Sequence, residues 1–285
     1  MHYKTFPKVS IGMPVYNGEK FIKDAIESLI SQTYVNFEII ISDNNSNDKT
    51  AEICIKYCEK DPRIKYFKQE QNIGPWKNFE YVLINSTSEF FMWAPADDTW
   101  NSNHIEYCVN LLLSKNNAVA AITKTNCGNP GQSCGDFTIN SKYIFFRRIK
   151  YLLNTGPNAR FYSLYRRNVL LNLNIRDYNF FAGDWAIVFD ILNFGNYLCF
   201  EDYIGFNKRK HDDAGSNINN VLQNLKNDGV HIFYPLKQFS NHIYNKSKVT
   251  YFIYLPFIIL LNFQCLNWFF HDLYLRKNNL IDKKR

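Results

Sequence analysis

Glycine and proline are sparse, at twelve and nine residues in 285, and methionine occurs three times. That scarcity excludes a collagen-like or low-complexity chain. Charge of one sign is not concentrated either. The 33 Lys and Arg against 26 Asp and Glu leave a formal charge of +7, spread along most of the chain, which excludes a dedicated nucleic-acid stripe. None of the seven cysteines shows the Cys-x-x-Cys spacing of a zinc ribbon or redox motif, and Cys54 and Cys58 fall four apart on a helical face. The opening Met1 to Lys8 lacks the apolar core of a signal peptide. Reduced, mostly buried thiols and that missing core both point to the cytoplasm. No internal repeat is visible.

What the chain has is apolar surface: 46% of its residues are hydrophobic, 17% aromatic and only 21% charged. A chain of this length buries about three quarters of its extended surface, so one large α/β domain, or a domain with an appended lobe, fits. The aromatic share has two readings, a coding bias that also enriches Asn, Lys and Ile, or contact with carbohydrate or membrane.

Val9 to Pro14 spells a short buried strand, followed by the turn Tyr16-Asn17-Gly18. From Lys20 onward Ile22, Ala25, Ile26, Leu29 and Ile30 recur at helical spacing. Phe37 to Ser42 is a second strand running into Asp43-Asn44, after which Ser46 or Asn47 stands where a cap would open a helix over Thr50 to Cys58. Ile64 to Phe67 reads as a third strand, Trp76 to Ile84 as a helix, and Glu89 to Trp93 as a fourth strand ending in Ala94-Pro95-Ala96-Asp97-Asp98. Farther on, Lys124 to Asp136 reads as a loop, Tyr143 to Leu153 as an amphipathic helix, Arg160 to Arg167 as a strand, Asp184 to Leu192 as a helix and Asn196 to Phe200 as a strand. Strands alternating with helices predict a mainly parallel sheet covered on both faces. Ligands of such sheets lie beyond the carboxyl ends of the strands, and there fall Tyr16-Asn17, Asp43-Asn44 and Asp97-Asp98.

Adjacent carboxylates such as Asp97 and Asp98 are costly to place together unless a cation neutralises them. Hard oxygen donors with no neighbouring Cys or His pair suit Mg²⁺ or Mn²⁺ held partly by a diphosphate. The alternative is that Asp98 caps a helix beginning near Thr99 while Asp97 is solvated. Asp184, after Gly183, reads on its own as the cap of the following helix.

Three runs in register carry a resemblance: Val9-Ser10-Ile11-Gly12-Met13-Pro14-Val15-Tyr16-Asn17-Gly18, then Ser28-Leu29-Ile30-Ser31-Gln32-Thr33-Tyr34, then Phe37 to Thr50. Together with Asn72-Ile73-Gly74, Asn78, Phe90 to Asp98 and Trp100, they closely resemble the opening of family 2 glycosyltransferases. The likeness resumes at Gly183-Asp184-Trp185 and Arg209-Lys210-His211. These are inverting enzymes of the GT-A fold that use nucleotide-diphosphate sugars. The resemblance implies a Rossmann-like, mainly parallel sheet flanked by helices, with a C-terminal helical extension. It implies that Pro14, Tyr16, Asn17, Asp43, Asn44, Asn72, Gly74, Asn78, Asp97 and Arg209 meet the nucleotide sugar, that Asp97, Asp98 and His211 hold Mn²⁺ or Mg²⁺, and that Asp184 is the base. The family's usual Asp-x-Asp lacks its first carboxylate here, where Pro95 stands, so Asp97 and Asp98 would carry the metal.

The expected organisation is a catalytic domain over 1–215 and a helical region over 216–285. Tyr251 to Leu261 is strongly apolar, but Pro256 and the amides of Asn262, Gln264 and Asn267 interrupt the twenty residues a span requires. It reads either as a membrane-surface segment, with Trp268, Lys246, Lys248, Arg276, Lys277 and Lys283-Lys284-Arg285 facing anionic headgroups, or as a pair of buried helices packed on the catalytic domain or a second subunit. The expected function is sugar transfer from a UDP- or dTDP-sugar to a hydroxyl of a growing bacterial surface glycan, such as capsule or O-antigen, or of a lipid-linked acceptor. The alternative is a non-catalytic nucleotide-sugar-binding or scaffolding subunit, which Pro95 favours and Asp184, Arg209 and His211 oppose. A nucleotidyltransferase would need a glycine-rich basic loop where Tyr16-Asn17-Gly18-Glu19 stands. The expected partners are the donor, the acceptor, the inner face of the membrane and a second copy of the chain, with no nucleic acid.

Overall fold

The computed structural model describes residues 6–126, 136–156, 158–209, 218–227 and 229–277. Strands and helices alternate first: β1 (Val9–Val15), α1 (Ile22–Ile30), β2 (Phe37–Asp43), α2 (Thr50–Lys60), β3 (Ile64–Lys68), α3 (Pro75–Ile84) and β4 (Phe90–Trp93). Then come β5 (Thr99–Trp100), α4 (His104–Ser114), β6 (Ala118–Asn126), α5 (Ile144–Leu152), β7 (Leu164–Arg166), α6 (Arg167–Leu171), α7 (Gly183–Ile191) and β8 (Asn196–Asn207). The helices α8 (Ile218–Asn227), α9 (Lys237–Lys246) and α10 (Lys248–Lys277) follow.

The strands form one eight-stranded sheet in the order β3-β2-β1-β4-β7-β6-β8-β5. The β3-β2-β1-β4 half is parallel throughout, β6 and β8 are parallel to each other, and β7 and β5 run against their neighbours. The mainly parallel α/β sheet expected from the alternation is therefore present. β2 and β4 are buried along their whole length, and β1 everywhere but Pro14, because helices cover both faces; that is why these strands read as unbroken apolar runs. On α1 the stripe Ile22, Ala25, Ile26 and Leu29 is buried, as its spacing predicts. The same core continues through Leu236 and Phe239 of the α9 region to Tyr254, Ile258 and Leu261 of α10. The expected boundary at 215/216 lies outside the described residues.

Several expectations need correction. Ser46 and Asn47 do not cap α2, which begins at Thr50 after Lys49 without a side-chain cap; both groups are drawn instead to the loop after β1. Arg160 to Arg167 is not one strand: a 3-10 turn over Ala159–Tyr162 precedes the three-residue β7. Thr99 opens no helix, since Thr99 and Trp100 pair with Asn207 and Phe206 of β8. The predicted loop begins late, because Lys124, Thr125 and Asn126 belong to β6; residues 127–135 lie outside the description. The apolar C-terminal stretch is neither interrupted nor a pair of helices. It is a single 30-residue helix that runs through Pro256.

A buried charge ties the parallel half together at its amino end. Glu38 of β2 accepts hydrogen bonds from Ser10 of β1 at 2.7 Å, from Lys8 at 2.9 Å and from Lys65 of β3 at 2.9 Å, and Ser10 also donates to Ser88 ahead of β4 at 2.8 Å. Burial by itself would raise the Glu38 carboxyl, but these donors outweigh it and hold the group at about 2 against an ordinary 4.5. A carboxyl depressed on folding stabilises the protein above its unfolded value and ceases to do so as pH falls toward its folded value. Glu38→Gln should lower stability at neutral pH by about 2 kcal/mol. It should also flatten the acid loss of stability between pH 4.5 and about 2, as read by urea unfolding across that range.

Candidate active site

The strand order reverses at β1, which has β2 on one side and β4, reached only after β3 and α3, on the other. In open α/β sheets the crevice at such a reversal, at the carboxyl ends of the strands, is where ligands bind. Pro14 fits that place. Gly12 O accepts from Ala94 N and Val15 O from Asn44 N, both at 2.8 Å, so even-numbered residues of β1 face β4. Pairing with β4 ends at Gly12↔Trp93, and the missing N–H of Pro14 therefore faces the opened crevice, where it withdraws nothing from the ladder.

The loops on the β2 side are clasped together. Asn17 N donates to Ser46 Oγ at 2.8 Å, Asn47 N to Asn17 Oδ1 at 2.9 Å, Gly18 N to Thr50 Oγ1 at 2.8 Å and Glu19 N to Asp48 Oδ2 at 3.0 Å. Asn17 sits at φ 52°, a conformation Asn tolerates better than most residues. The clasp leaves Tyr16 exposed at the rim. Asp43 is buried, its Oδ1 accepting from Ser46 N at 2.8 Å and its Oδ2 from Tyr66 Oη at 2.6 Å.

Asn44 is fixed just as firmly: its Nδ2 donates to Asn72 Oδ1 at 3.0 Å and its Oδ1 accepts from Ile73 N at 2.8 Å. Gly74 follows at φ 83°, ψ 160°, a region essentially confined to glycine, and turns the chain into α3. There Asn78 reaches back to Ser42, donating to its carbonyl at 2.9 Å and accepting from its hydroxyl at 2.6 Å. Asn44, Asn72, Gly74 and Asn78 thus form one fastening of the 72–78 segment against the end of β2.

Asp97 and Asp98 lie on the turn after β4, across the crevice from Pro14. Pairing of β5 with β8 brings the segment after β8 onto them, and Asp98 Oδ1 accepts from Arg209 N at 2.7 Å. The Arg209 guanidinium reaches the other wall, donating to Asp24 Oδ2 of α1 at 2.8 Å and lying 4.7 Å from the Phe21 ring centroid. Among the described residues no three His, Cys, Asp or Glu side chains are grouped to enclose a metal. Two hard carboxylates suit Mg²⁺ or Mn²⁺ completed by substrate phosphate, because these ions are usually held by one or two carboxylates plus phosphate oxygens. Two carboxylates on one turn are donors of the kind such a cation takes. His211 and Lys210 lie outside the described residues.

Asp184 occupies the first turn of α7. The tight turn before the helix is made at Ala182, which takes the left-handed conformation at φ 65°. Glycine is needed at 183 for space: a Cβ there would stand 1.8 Å from Tyr178 O and 2.9 Å from Trp76 Cζ2. The Asp184 carboxyl is turned onto Asn158, whose Nδ2 donates to Oδ2 at 2.9 Å. Asn158 is buried at φ 49°, and its Oδ1 accepts from Tyr151 Oη at 3.2 Å. Tyr151 also lies 3.2 Å from Trp185 O, so one hydroxyl braces both the amide and the helix that carries Asp184. Burial pushes the Asp184 carboxyl above its ordinary range, although Asn158, the Trp185 N–H and Lys208 act the other way. Trp185 is partly buried against the core.

Tyr162 marks where the carboxylates converge. Its hydroxyl is pushed well above the ordinary range, first by burial and then by the charges of Asp98, Asp97 and Asp184. The sequence singles out Asp97 and Asp98 at a strand end, and Asp184 through the resemblance, but not Asn158, Tyr162 or Lys208. The only local signal was the sequence Gly156-Pro157-Asn158, a turn-former ending in a side chain that tolerates positive φ.

A parallel sheet with a polar crevice at its order reversal, acidic side chains on one wall and a carboxyl at a helix start beyond it, is the arrangement of a GT-A protein. The family model described as Glycosyl transferase family 2 matches residues 10–173, more than half of the chain, and the chain belongs to that family. Among curated relatives, an uncharacterized glycosyltransferase of Rickettsia typhi is 40% identical over 111 residues, 39% of this chain and 34% of that protein. The UDP-Glc:alpha-D-GlcNAc-diphosphoundecaprenol beta-1,3-glucosyltransferase WfgD of Escherichia coli is 30% identical over 142 residues, 50% of this chain and 55% of that one. The chain spans about a third or less of the first Rickettsia relatives, 34% and 16% of two of them. In structure, Staphylococcus aureus TarS 1–349 superposes with TM-score 0.59 at 21% identity, covering 85% of this chain and 73% of that one. The mannosyltransferase PcManGT of Pyrobaculum calidifontis, solved with GDP-Man and Mn²⁺, superposes with TM-score 0.60 at 14% identity over 92% and 74%. At these identities the two superpositions speak for the fold.

Removing the Asn158 amide should cost about 1–3 kcal/mol of stability and move the Asp184 carboxyl still higher, since that hydrogen bond favours the ionised form. A carbon-13 NMR titration of Asp184 in Asn158→Ala should show the upward displacement. An unmoved titration would mean that the amide does not act on the carboxylate.

Proposed function

We propose that the chain is a cytoplasmic glycosyltransferase that moves a sugar from a nucleotide diphosphate to an acceptor hydroxyl with inversion, using Asp184 as the base. The observation that carries this reading is the Asp184 carboxyl itself, raised by burial, braced by Asn158 and sharing the surroundings of Tyr162 with Asp97 and Asp98. A carboxyl raised above its usual range is a stronger proton acceptor than an ordinary aspartate.

In the proposed reaction the acceptor oxygen forms a bond to the anomeric carbon as the bond from that carbon to the diphosphate oxygen breaks. The bonding pair leaves with the nucleoside diphosphate, and the hydroxyl proton passes to Asp184. Asn158 occupies Oδ2, which leaves Oδ1 to receive the proton. Asp97 and Asp98 would hold Mn²⁺ or Mg²⁺, which when bound offsets the charge developing on the diphosphate. Arg209, on the segment docked over Asp98, is placed to exchange its partner Asp24 for a phosphate oxygen. Pro14, Tyr16 and Asn17 form the rim on the nucleotide side, with the fastened Asp43, Asn44, Asn72, Gly74 and Asn78 shaping its floor. WfgD supports a UDP-sugar donor and a lipid-linked glycan acceptor, and TarS has been solved with UDP-GlcNAc. A bacterial surface polysaccharide such as capsule or O-antigen suits both.

Asp184→Asn should lower turnover by about two orders of magnitude or more while leaving donor binding nearly intact, measured by product formation beside calorimetric titration of the donor. Retained turnover would remove the base assignment. For the wild type, activity should fall on acidification at a pH above the ordinary aspartate range, because Asp184 must be ionised to act. Asp97→Ala and Asp98→Ala should each abolish the strengthening of nucleotide binding by Mn²⁺. A titration that responds to Mn²⁺ as the wild type does would place the metal elsewhere.

A further inference from the structure

α10 has two unlike faces. Tyr254, Ile258, Leu261, Cys265 and Phe269 form a buried stripe packed on the protein, with α5, α8 and α9 as its neighbours. The opposite face presents Val249, Phe252, Phe263 and Phe270, each more than half exposed. α5, packed against the buried stripe, carries exposed aromatic side chains of its own. The Phe145 ring of α5 stands 5.8 Å from the Tyr254 ring, and beside it Tyr143 and Phe146 are 59% and 57% exposed.

The charge around this surface has one sign. No Asp or Glu occurs from residue 137 to 176 or from 229 to 271, the stretches that supply α5, α9 and most of α10. Lys142, Lys150, Lys237 and Lys248 are exposed on them. Apolar and aromatic side chains bordered by lysine, with Asp272 near the end of α10 the one carboxylate in the sequence of these three helices, match the boundary layer of an anionic bilayer. A second copy of the chain is a poor occupant, because a two-fold interface would set this lysine-bearing face against itself.

We propose that the face built from α5, α9 and α10 docks on an anionic lipid bilayer, with α10 lying along the interface instead of crossing it. Over Lys248–His271 the helix is long and apolar enough to span, yet it is held to the protein at mid-length. Asn262, one of the amides that interrupts the apolar run, points inward and accepts from Leu236 N at 3.1 Å while donating to Ile258 O at 2.9 Å. Crossing would strip the buried stripe from its neighbours and leave the buried Leu236 N–H without that acceptor.

The test is flotation of the full chain with vesicles of phosphatidylglycerol and of phosphatidylcholine. The chain should float with the first and not the second, and release in high salt. Lys142→Glu with Lys248→Glu should weaken phosphatidylglycerol binding at least tenfold, and Phe252→Ser with Phe263→Ser should weaken it without altering the thermal midpoint. No flotation with phosphatidylglycerol, flotation indifferent to the lysine reversals, or a concentration-dependent dimer that excludes vesicles would each overturn the proposal. So would retention in the vesicles after alkaline carbonate, which would mean a spanning helix. Donor binding measured in vesicle-free solution is independent of all these outcomes, so failure here leaves the proposed reaction standing or falling separately.

Discussion

The parting of β1 from β4 governs the site. β1 is an interior strand of the parallel half and must satisfy a neighbour on each side, but β4 ends at Trp93, opposite Gly12. A residue without an N–H is tolerated one position farther along that edge, and the two chains diverge there. Every wall of the crevice follows from this divergence. The loop after β1 is caught by the loop after β2, while the turn after β4 is caught by β8 through β5. Shape therefore comes from ladder bonds that stop, and rigidity from side chains that clasp the ends.

α7 joins that crevice to the C-terminal helices. Asp184 stands in its first turn and Asp190 near its last, about 9 Å apart along a helix that rises 1.5 Å per residue. Asp190 is buried and receives Tyr178 Oη at 2.7 Å, His242 Nε2 at 2.8 Å and Lys246 Nζ at 2.7 Å on Oδ2, with Arg148 at 3.5 Å from Oδ1. Burial opposes the ionised form, but the donors from α9 prevail and hold its carboxyl below the ordinary range. One end of the helix thus carries a carboxyl raised by burial, and the other a carboxyl lowered by its donors.

The parallel half was legible because burial on both faces writes unbroken apolar runs, as in Phe37 to Ile41, and because α1 shows its one buried stripe by spacing. Carboxylates at strand and helix ends were legible by type and place. What stayed hidden depends on partners far along the chain. Ser46 and Asn47 look like caps, yet they answer to Asn17 some thirty residues earlier. Asn158 meets Asp184 across twenty-six positions, and no local pattern encodes that meeting. Pro256 reads as an interruption, but it lies on the exposed face of α10, and the amide of Asn262 is spent inward. Periodicity registers polarity without saying which way a side chain turns.

The Asp190 cluster limits how this chain could have traded parts with its kin. The family match ends at residue 173, so the remainder invites the view that it is a cassette joined to a common first half. Its electrostatics say otherwise. Arg148 lies within the matched part and Tyr178, Asp190, His242 and Lys246 lie beyond it, so a crossover at the end of the match would part the buried carboxylate from its arginine. Breaking such a set costs about 3–5 kcal/mol, a large part of the stability of an ordinary domain. Exchange at the obvious seam is thereby penalised, and change beyond it is confined to variants that keep both parts of the cluster together.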